Sequence, residues 1–143
     1  MTSAPGKAYL LVVGTFYIIS GVVGAIFSLN GLFTFDYLDR TPPTATGISW
    51  SIYYTVGLIG FLLCIITGVM GVINRSRLEK ASLLRTLGII YLVYVLLYRI
   101  FSDVIVHENT IADGFGISLI MALFISALYI VGAQKNLTAY TER

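Results

Sequence analysis

The sequence predicts an all-α integral membrane protein, a four-transmembrane-helix bundle formed by a single domain over residues 1–143. Two features of the composition and one of the pattern lead to this fold class. Hydrophobic residues make up 57% of the chain and charged residues only 11%, whereas about 25% of a soluble domain is charged. Four apolar stretches are long enough to cross a bilayer, which takes about 20 residues. A soluble fold of this length leaves too much of its surface in water to hide so much apolar area.

The first apolar stretch, residues 9–29, follows Lys7. It is too long for the hydrophobic region of a signal peptide, which has about 7–15 residues, so we predict a helix that stays in the membrane. The connection over residues 30–49 mixes apolar side chains with two aspartates, and its two prolines stop a helix. We predict that it lies at the membrane surface, with Tyr37 and Trp50 as interfacial anchors. A short strand is the alternative.

The remaining spans are predicted over residues 52–73, 83–106 and 114–133. A tight polar turn, residues 74–80, joins the second span to the third. A short polar segment without lysine or arginine joins the third to the fourth. The third span is unlike the others because it carries Arg99 and Asp103 in its outer third and three tyrosines along its length, so it is expected to be the polar helix of the bundle.

Basic residues gather on one side of this predicted bundle. Four spans bring both chain ends and the central turn to the same membrane face, whereas Arg40 is the one cation outside a span on the opposite face. Lysine and arginine are enriched in cytoplasmic loops, so we predict a multi-pass protein of the cell membrane with both termini in the cytoplasm. The net charge of +2 gives no indication of nucleic-acid binding. The clustered cations are Lys7, Arg75, Arg77, Lys80, Arg85, Lys135 and Arg143.

A faint internal repeat relates the first half of the chain to the second. The repeated positions begin and end on the same predicted face, which suggests two helical hairpins related by an axis along the membrane normal. Chance similarity among apolar helices is the alternative. The matching positions are residues 7–11 with 80–84, Gly14 with Gly88, Tyr17 with Tyr91, and Gly71 with Gly132.

Small residues recur at a spacing of about four in three of the four spans. Such faces let helices approach closely in lipid, and the third span offers tyrosines and leucines instead. Either the faces close the bundle itself or they form a seam for self-association. The stripe in the second span also includes Gly57 and Cys64, the single cysteine, which is expected to be a small packing residue. The predicted packing residues are Gly24, Gly60, Gly68, Gly71, Ser118 and Ala122.

Arg99 and Asp103 are four residues apart and share a helix face, which His107 continues. At 1.5 Å per residue, Arg99 lies about 12 Å below the end of its helix, where a charge costs up to about 3 kcal/mol. One interpretation is an intrahelical salt bridge that anchors the helix. The other is an outward-facing pocket for an anionic ligand or headgroup, lined by Arg99, Asp103, Tyr98 and Tyr53 or Tyr54.

Motifs for catalysis are missing from the sequence, which has no HExxH, GxSxG, P-loop, dinucleotide turn or CxxC. We therefore expect no enzyme activity and no cofactor. Asp103, His107, Glu108 and Asp113 resemble a set of metal ligands, but His107 is the only histidine, which is a poor fit to closed zinc sites. No metal is expected.

Two hairpins, a basic turn of the form NR..LEKA at residues 74–81 and a Gly-x-x-x-Asn ending at 132–136 resemble small four-span membrane proteins of unknown function from Gram-positive bacteria. The resemblance implies the four-span fold and no particular activity. The leading hypothesis is a non-enzymatic protein that acts by helix association, with itself or as an accessory subunit of another membrane protein. The alternatives are a small dimeric transporter or channel with its site at Arg99 and Asp103, and a membrane enzyme acting on lipid or quinone.

Overall fold

The computed structural model describes residues 4–37, 49–102 and 117–142, excluding the side chains of residues 35–37 and 117–118. Regular structure within this described part of the chain is entirely helical. Four long helices and one short 3₁₀ helix follow one another along the chain. They are α1 (Lys7–Tyr37), α2 (Trp50–Ile73), the 3₁₀ helix (Leu78–Lys80), α3 (Ala81–Ile100) and α4 (Ile117–Thr141).

All four long helices are long and apolar enough to cross a membrane. The candidate spans contain between 23 and 28 residues each, and about 20 are needed. The predicted fold class, an all-α protein with four helices of transmembrane length, is therefore confirmed at this level.

Two helices extend well beyond the predicted spans, by eight residues each at their C-terminal ends. α1 continues without a break to Tyr37, so residues 30–37 belong to the first helix and not to a separate segment. No proline occurs between Pro5 and Pro42, so nothing in this stretch removes a helical hydrogen bond. α4 continues to Thr141 because the segment after Gly132 lacks both glycine and proline. The prediction of a surface segment over 38–48 lies outside the described residues.

Local capping fixes where α2 begins and ends. Ser49 is the N-cap, and its hydroxyl accepts the Ile52 backbone N–H at 3.4 Å. Asn74 closes the other end because its backbone N–H and its side-chain amide both donate to the Met70 carbonyl, at 3.0 and 3.1 Å. Asn74 is thus the C-cap of α2, and the 3₁₀ helix that follows begins at Leu78, which is buried.

The bundle is built from two tightly packed helix pairs. α1 packs mainly on α2, and α3 mainly on α4, with α1 against α4 and α2 against α3 in lighter contact. The α1–α2 pair approaches backbone to backbone, since a Cβ on Gly14 would lie 2.9 Å from the Gly68 carbonyl oxygen and one on Gly68 would lie 2.6 Å from the Gly14 carbonyl oxygen. Small residues thus permit the close approach expected in lipid.

A hydrogen-bonded clamp joins both chain ends to the turn between α2 and α3. Asn136 of α4 is fully buried. Its amide oxygen accepts the Gly6 N–H at 2.7 Å, and its amide nitrogen donates to the Arg75 carbonyl at 3.0 Å. Arg85 donates to Gln134 at 3.1 Å beside it. The clamp brings four chain segments together at one end of the bundle, which we name the clamp end.

Candidate functional site

The glycine stripe of α2 receives tyrosine rings from the other helices. The Tyr94 ring of α3 lies where a Cβ of Gly60 would be, and its hydroxyl donates to the Val56 carbonyl. Only glycine leaves room for the ring at this position. We name such a contact, with a tyrosine ring packed on a glycine of a neighbouring helix, a tyrosine-on-glycine interlock.

Tyr129 makes the same kind of contact between α4 and α2. A Cβ on Gly71 would lie 2.6 Å from the Tyr129 ring, and the hydroxyl of that ring donates to the Thr67 carbonyl at 2.8 Å. In both cases the carbonyl acceptor lies four residues before the glycine. Tyr129 is fully buried and also covers Gly88 of α3, so one side chain fastens three helices together.

Five side chains fill the middle of the bundle. We name them the central cluster: Tyr17, Cys64, Tyr91, Ser126 and Tyr129. The Tyr17 hydroxyl donates to Ser126 Oγ at 2.9 Å, and the Cys64 thiol donates to the Tyr17 carbonyl at 3.3 Å. The Tyr17 ring meets the Tyr91 ring edge-on at 4.8 Å and stacks on the Tyr129 ring at 5.6 Å between centroids. The cluster takes at least one residue from each long helix.

An apolar crevice adjoins the central cluster. It has a volume of about 220 Å³ and is lined by residues from all four long helices. Its floor includes Tyr17, Cys64 and Tyr91, and Phe61 and Ala122 are among its walls. Ala122, one of the predicted packing residues, thus borders a crevice.

Five aromatic side chains lie toward the end of α2 and α3 that is opposite the clamp end. We name them the outer cluster: Trp50, Tyr53, Tyr54, Tyr94 and Tyr98. Tyr94 and Tyr98 stack at 6.1 Å, and Tyr98 continues to Tyr53 at 6.2 Å between ring centroids. Tyr53 in turn contacts Tyr54 at 5.4 Å and Trp50 at 5.8 Å.

The outer cluster contains two of the tyrosines that the sequence predicts to line a polar pocket. Tyr98 lies against Gly57, with its hydroxyl 3.2 Å from the place of a Cβ there. The Tyr53 hydroxyl is 3.5 Å from Ser102 Oγ. Arg99 is half-buried in the last turn of α3. Asp103, the remaining predicted pocket residue, and His107, which continues its helix face, lie outside the described residues.

The four glycines among the predicted packing residues lie at contacts inside the bundle. Gly24 of α1 is covered by the Phe61 ring of α2. Gly68 meets the α1 backbone, and Gly60 and Gly71 meet tyrosine rings. Ser118 is part of α4, but its side chain is not among those described.

Three residues central to this interior are not identifiable as contacts from the sequence patterns: Tyr17, Tyr129 and Asn136. Tyr17 stands out only as a position of the repeat. Tyr129 is the one tyrosine within the predicted fourth span, flanked by aliphatic residues, and a polar ring in such a setting usually has a hydrogen-bond partner. Asn136 lies after the predicted fourth span, among largely polar residues, and nothing in its sequence neighbourhood indicates burial.

Neutral groups supply the fully buried side-chain hydrogen bonds of the described residues: phenols, a hydroxyl, a thiol and an amide. At the clamp end, the half-buried Arg75 also donates to the Val72 carbonyl at 2.8 Å. Glu79 and Glu142, the carboxylates whose side chains are described, are exposed. Histidine, cysteine, aspartate and glutamate form no group of three or more that is able to hold a metal within the described ranges. This chemistry suits packing and apolar binding. No protein-family model, curated protein or solved structure matches the chain.

Proposed function

We propose that the chain is a non-enzymatic, four-span protein of the cell membrane that acts by helix association through the outward face of α3. The partner that we favour is a second copy of the same chain. In the other form of the proposal, the chain is an accessory subunit that presents the same face to a different membrane protein. The lipid bilayer is its solvent, and nucleic acid is not among its partners.

The observation that carries the proposal is the low burial of α3. Within an apolar stretch of 18 residues in each candidate span, 17% of the residues are buried in the span that contains α3. The share is 33% in each of the other three spans. The glycine faces of the chain are occupied by contacts within the bundle. The outward face of α3 is therefore the best candidate for the surface that binds a partner.

This outward face follows a heptad pattern. Its positions are spaced three or four residues apart, which is the pattern of the a and d positions along a helix–helix seam. Aliphatic side chains fill it except for one threonine near the clamp end. The positions are Leu83, Thr86, Ile90, Val93, Leu97 and Ile100, all exposed in the single chain.

Disulfide trapping in native membranes tests the association. In a dimer with a two-fold axis along the membrane normal, identical residues on the shared face lie close together. In a Cys64→Ala background, we expect oxidation to crosslink Val93→Cys and Leu97→Cys into dimers. Ile66→Cys, which is exposed on α2, is the matched control and should remain monomeric.

The absence of crosslinks at every α3 position would refute the homo-oligomer. The accessory-subunit form would then require a second, different chain in the native mass of a preparation that retains its lipid. Crosslinks of equal yield at Ile66→Cys and Val93→Cys would refute a defined interface.

We also infer that the clamp end faces the cytoplasm and that the two helix pairs are related by an internal repeat. Six cations belong to the segments joined at the clamp end, in agreement with the preference of cytoplasmic loops for lysine and arginine. The repeat is supported by the contact between the matching residues Tyr17 and Tyr91 at the centre of the bundle, as expected of equivalent positions near a pseudo-two-fold axis.

A second candidate function, a small dimeric transporter or channel for anions, is favoured by the outer cluster. Its phenols, with Ser102 and the half-buried Arg99, form a polar region within an apolar helix pair. This candidate predicts chloride or phosphate efflux from proteoliposomes that is lost in Arg99→Ala and kept in Arg77→Ala, an exposed control in the opposite turn. Equal efflux from both variants, or none from the wild type, would count against it.

A further inference from the structure

The crevice beside the central cluster opens sideways, toward the surface that the bundle presents to lipid. Phe16 of α1 and Met121 of α4 both line it and are 49% and 51% exposed. Its deepest lining residues are the opposite: Tyr17 and Cys64 are 2% and 1% exposed. The crevice therefore runs from a rim on the outer surface of α1 and α4 to a floor at the bundle centre.

Three polar groups that line the crevice, the Ser20 and Tyr17 hydroxyls and the Cys64 thiol, already have partners within the bundle. Ser20 donates to the Phe16 carbonyl at 2.9 Å, Cys64 donates to the Tyr17 carbonyl at 3.3 Å, and the Tyr17 hydroxyl donates to Ser126 at 2.9 Å. A guest that needed hydrogen bonds would have to break these. An apolar guest loses nothing, so the chemistry of the floor selects hydrocarbon.

The depth of the crevice indicates where such a guest comes from. Phe16 lies nine residues after the start of α1, and Cys64 lies nine residues before the end of α2. At 1.5 Å per residue, both are about 14 Å from the clamp end of their helices. The hydrocarbon core of a bilayer is about 30 Å thick, so the crevice lies near its middle, where phospholipid acyl chains are the surrounding medium.

We propose that this crevice is a binding site for one acyl chain of a membrane phospholipid. An apolar cavity of about 150 Å³ is large enough to hold benzene, and the volume of about 220 Å³ here accommodates a segment of an alkyl chain. Three aromatic side chains line it, Phe16 at the rim, Phe61 in the wall and Tyr91 on the floor. The chain enters between Phe16 and Met121 and ends against the central cluster.

The site is separate from the outward face of α3 proposed for association. Its lining residue from α3, Tyr91, is half-buried and points to the central cluster, whereas the association face consists of exposed residues, nearly all of them aliphatic. Loss of lipid binding and loss of self-association are therefore separable results.

Photocrosslinking tests the acyl site. The full-length protein is reconstituted with a phosphatidylcholine that carries a diazirine midway along one acyl chain, irradiated, digested and mapped by mass spectrometry. We expect adducts concentrated on crevice residues, above all Met121 and Phe16. Ala122→Phe places a ring in the crevice and should abolish that concentration. Ala127→Phe makes the same change on an exposed position of α4 and should leave it intact.

Adducts spread evenly over the exposed surface of the wild type, for instance on Phe27 and Ile59 as often as on Met121, would overturn the proposal without any variant. So would crevice labelling that persists in a folded Ala122→Phe protein. A diazirine fatty acid added to a separate sample distinguishes the source: crevice labelling by the free acid that phosphatidylcholine does not reproduce would also overturn the phospholipid assignment.

Discussion

At the scale of single residues, two tyrosines use the same device to join helices. A helix carbonyl has two acceptor lone pairs, one of which takes the usual N–H four residues on. The phenols of Tyr94 and Tyr129 take the second. In the bilayer that we propose these helices cross, no water is present to satisfy a buried hydroxyl, so the partner comes from the protein. Gly60 and Gly71 admit the rings to within reach of those carbonyls.

Gly71→Ala should destabilise the bundle more than Gly57→Ala does. A Cβ on Gly71 would lie 2.6 Å from the ring of the fully buried Tyr129, whereas one on Gly57 would find its nearest atoms in two side-chain hydroxyls, at 3.2 and 3.3 Å. Overpacking of the first kind costs about 1–3 kcal/mol. The free energy of unfolding in mixed micelles measures the difference, and equal values for the two variants would contradict the tyrosine-on-glycine interlock.

Tyr129→Phe removes one hydrogen bond and leaves the ring. Side-chain hydrogen bonds between membrane helices contribute on average about 0.6 kcal/mol and at most about 1.7 kcal/mol. We expect a loss in that range from unfolding titrations. Tyr140→Phe is the matched control on the same helix, because Tyr140 is exposed near the clamp end; a comparable loss there would show that the Thr67 carbonyl contributes nothing specific.

At the scale of helices, Asn136 determines how the end of α4 meets the rest of the chain. Its amide satisfies one backbone donor and one backbone acceptor from two different segments. Asn136→Ala leaves both without that partner, and an unsatisfied buried group costs about 1–3 kcal/mol. We expect a lower free energy of unfolding and faster hydrogen exchange at the Gly6 amide. Thr138→Ala, at an exposed position whose hydroxyl donates to a carbonyl of its own helix, should change neither measurement by a comparable amount.

The sequence predicts the existence of the helices better than their ends. Four apolar stretches and a polar turn are sufficient to predict four helices of transmembrane length. The C-terminal extension of α4 escapes prediction because residues 134–141 are largely polar, and a polar composition says nothing about whether a helix stops. This extension is instead tied down by Asn136, through contacts with residues 130 and 61 positions away in sequence.

Within the candidate site, the glycine stripe of α2 is predictable and its partners are only partly so. A spacing of about four places Gly60, Gly68 and Gly71 on one face of a helix, whatever covers them. Which ring reaches which glycine depends on the relative height of two helices, and loop composition does not fix that height. The tyrosines of α3 are expected as one cover, while Tyr129 of α4 is not.

At the scale of the whole molecule, the chain combines a closed interior with two distinct outward surfaces. The glycines and tyrosines of the interior make their contacts among the chain's own helices, so the interior does not depend on a partner. The aliphatic face of α3 and the crevice between α1 and α4 lie on the surface and are not covered by other parts of the described chain. The first suits a flat helix–helix contact and the second suits a single inserted chain, which is why we assign them different occupants.

The topology proposed from the cations makes the last prediction. Both Ser76→Cys, in the exposed turn at the clamp end, and Thr110→Cys, in the segment between α3 and α4, are prepared in a Cys64→Ala background. Four spans with cytoplasmic termini require a membrane-impermeant maleimide to label Thr110→Cys on intact cells, and Ser76→Cys only after the membrane is opened. The reason is electrostatic, since lysine and arginine near span ends favour the cytoplasmic side. Labelling of Ser76→Cys alone on intact cells would show that the orientation is the reverse of the one proposed. Labelling of both variants on intact cells would exclude a membrane-spanning α3.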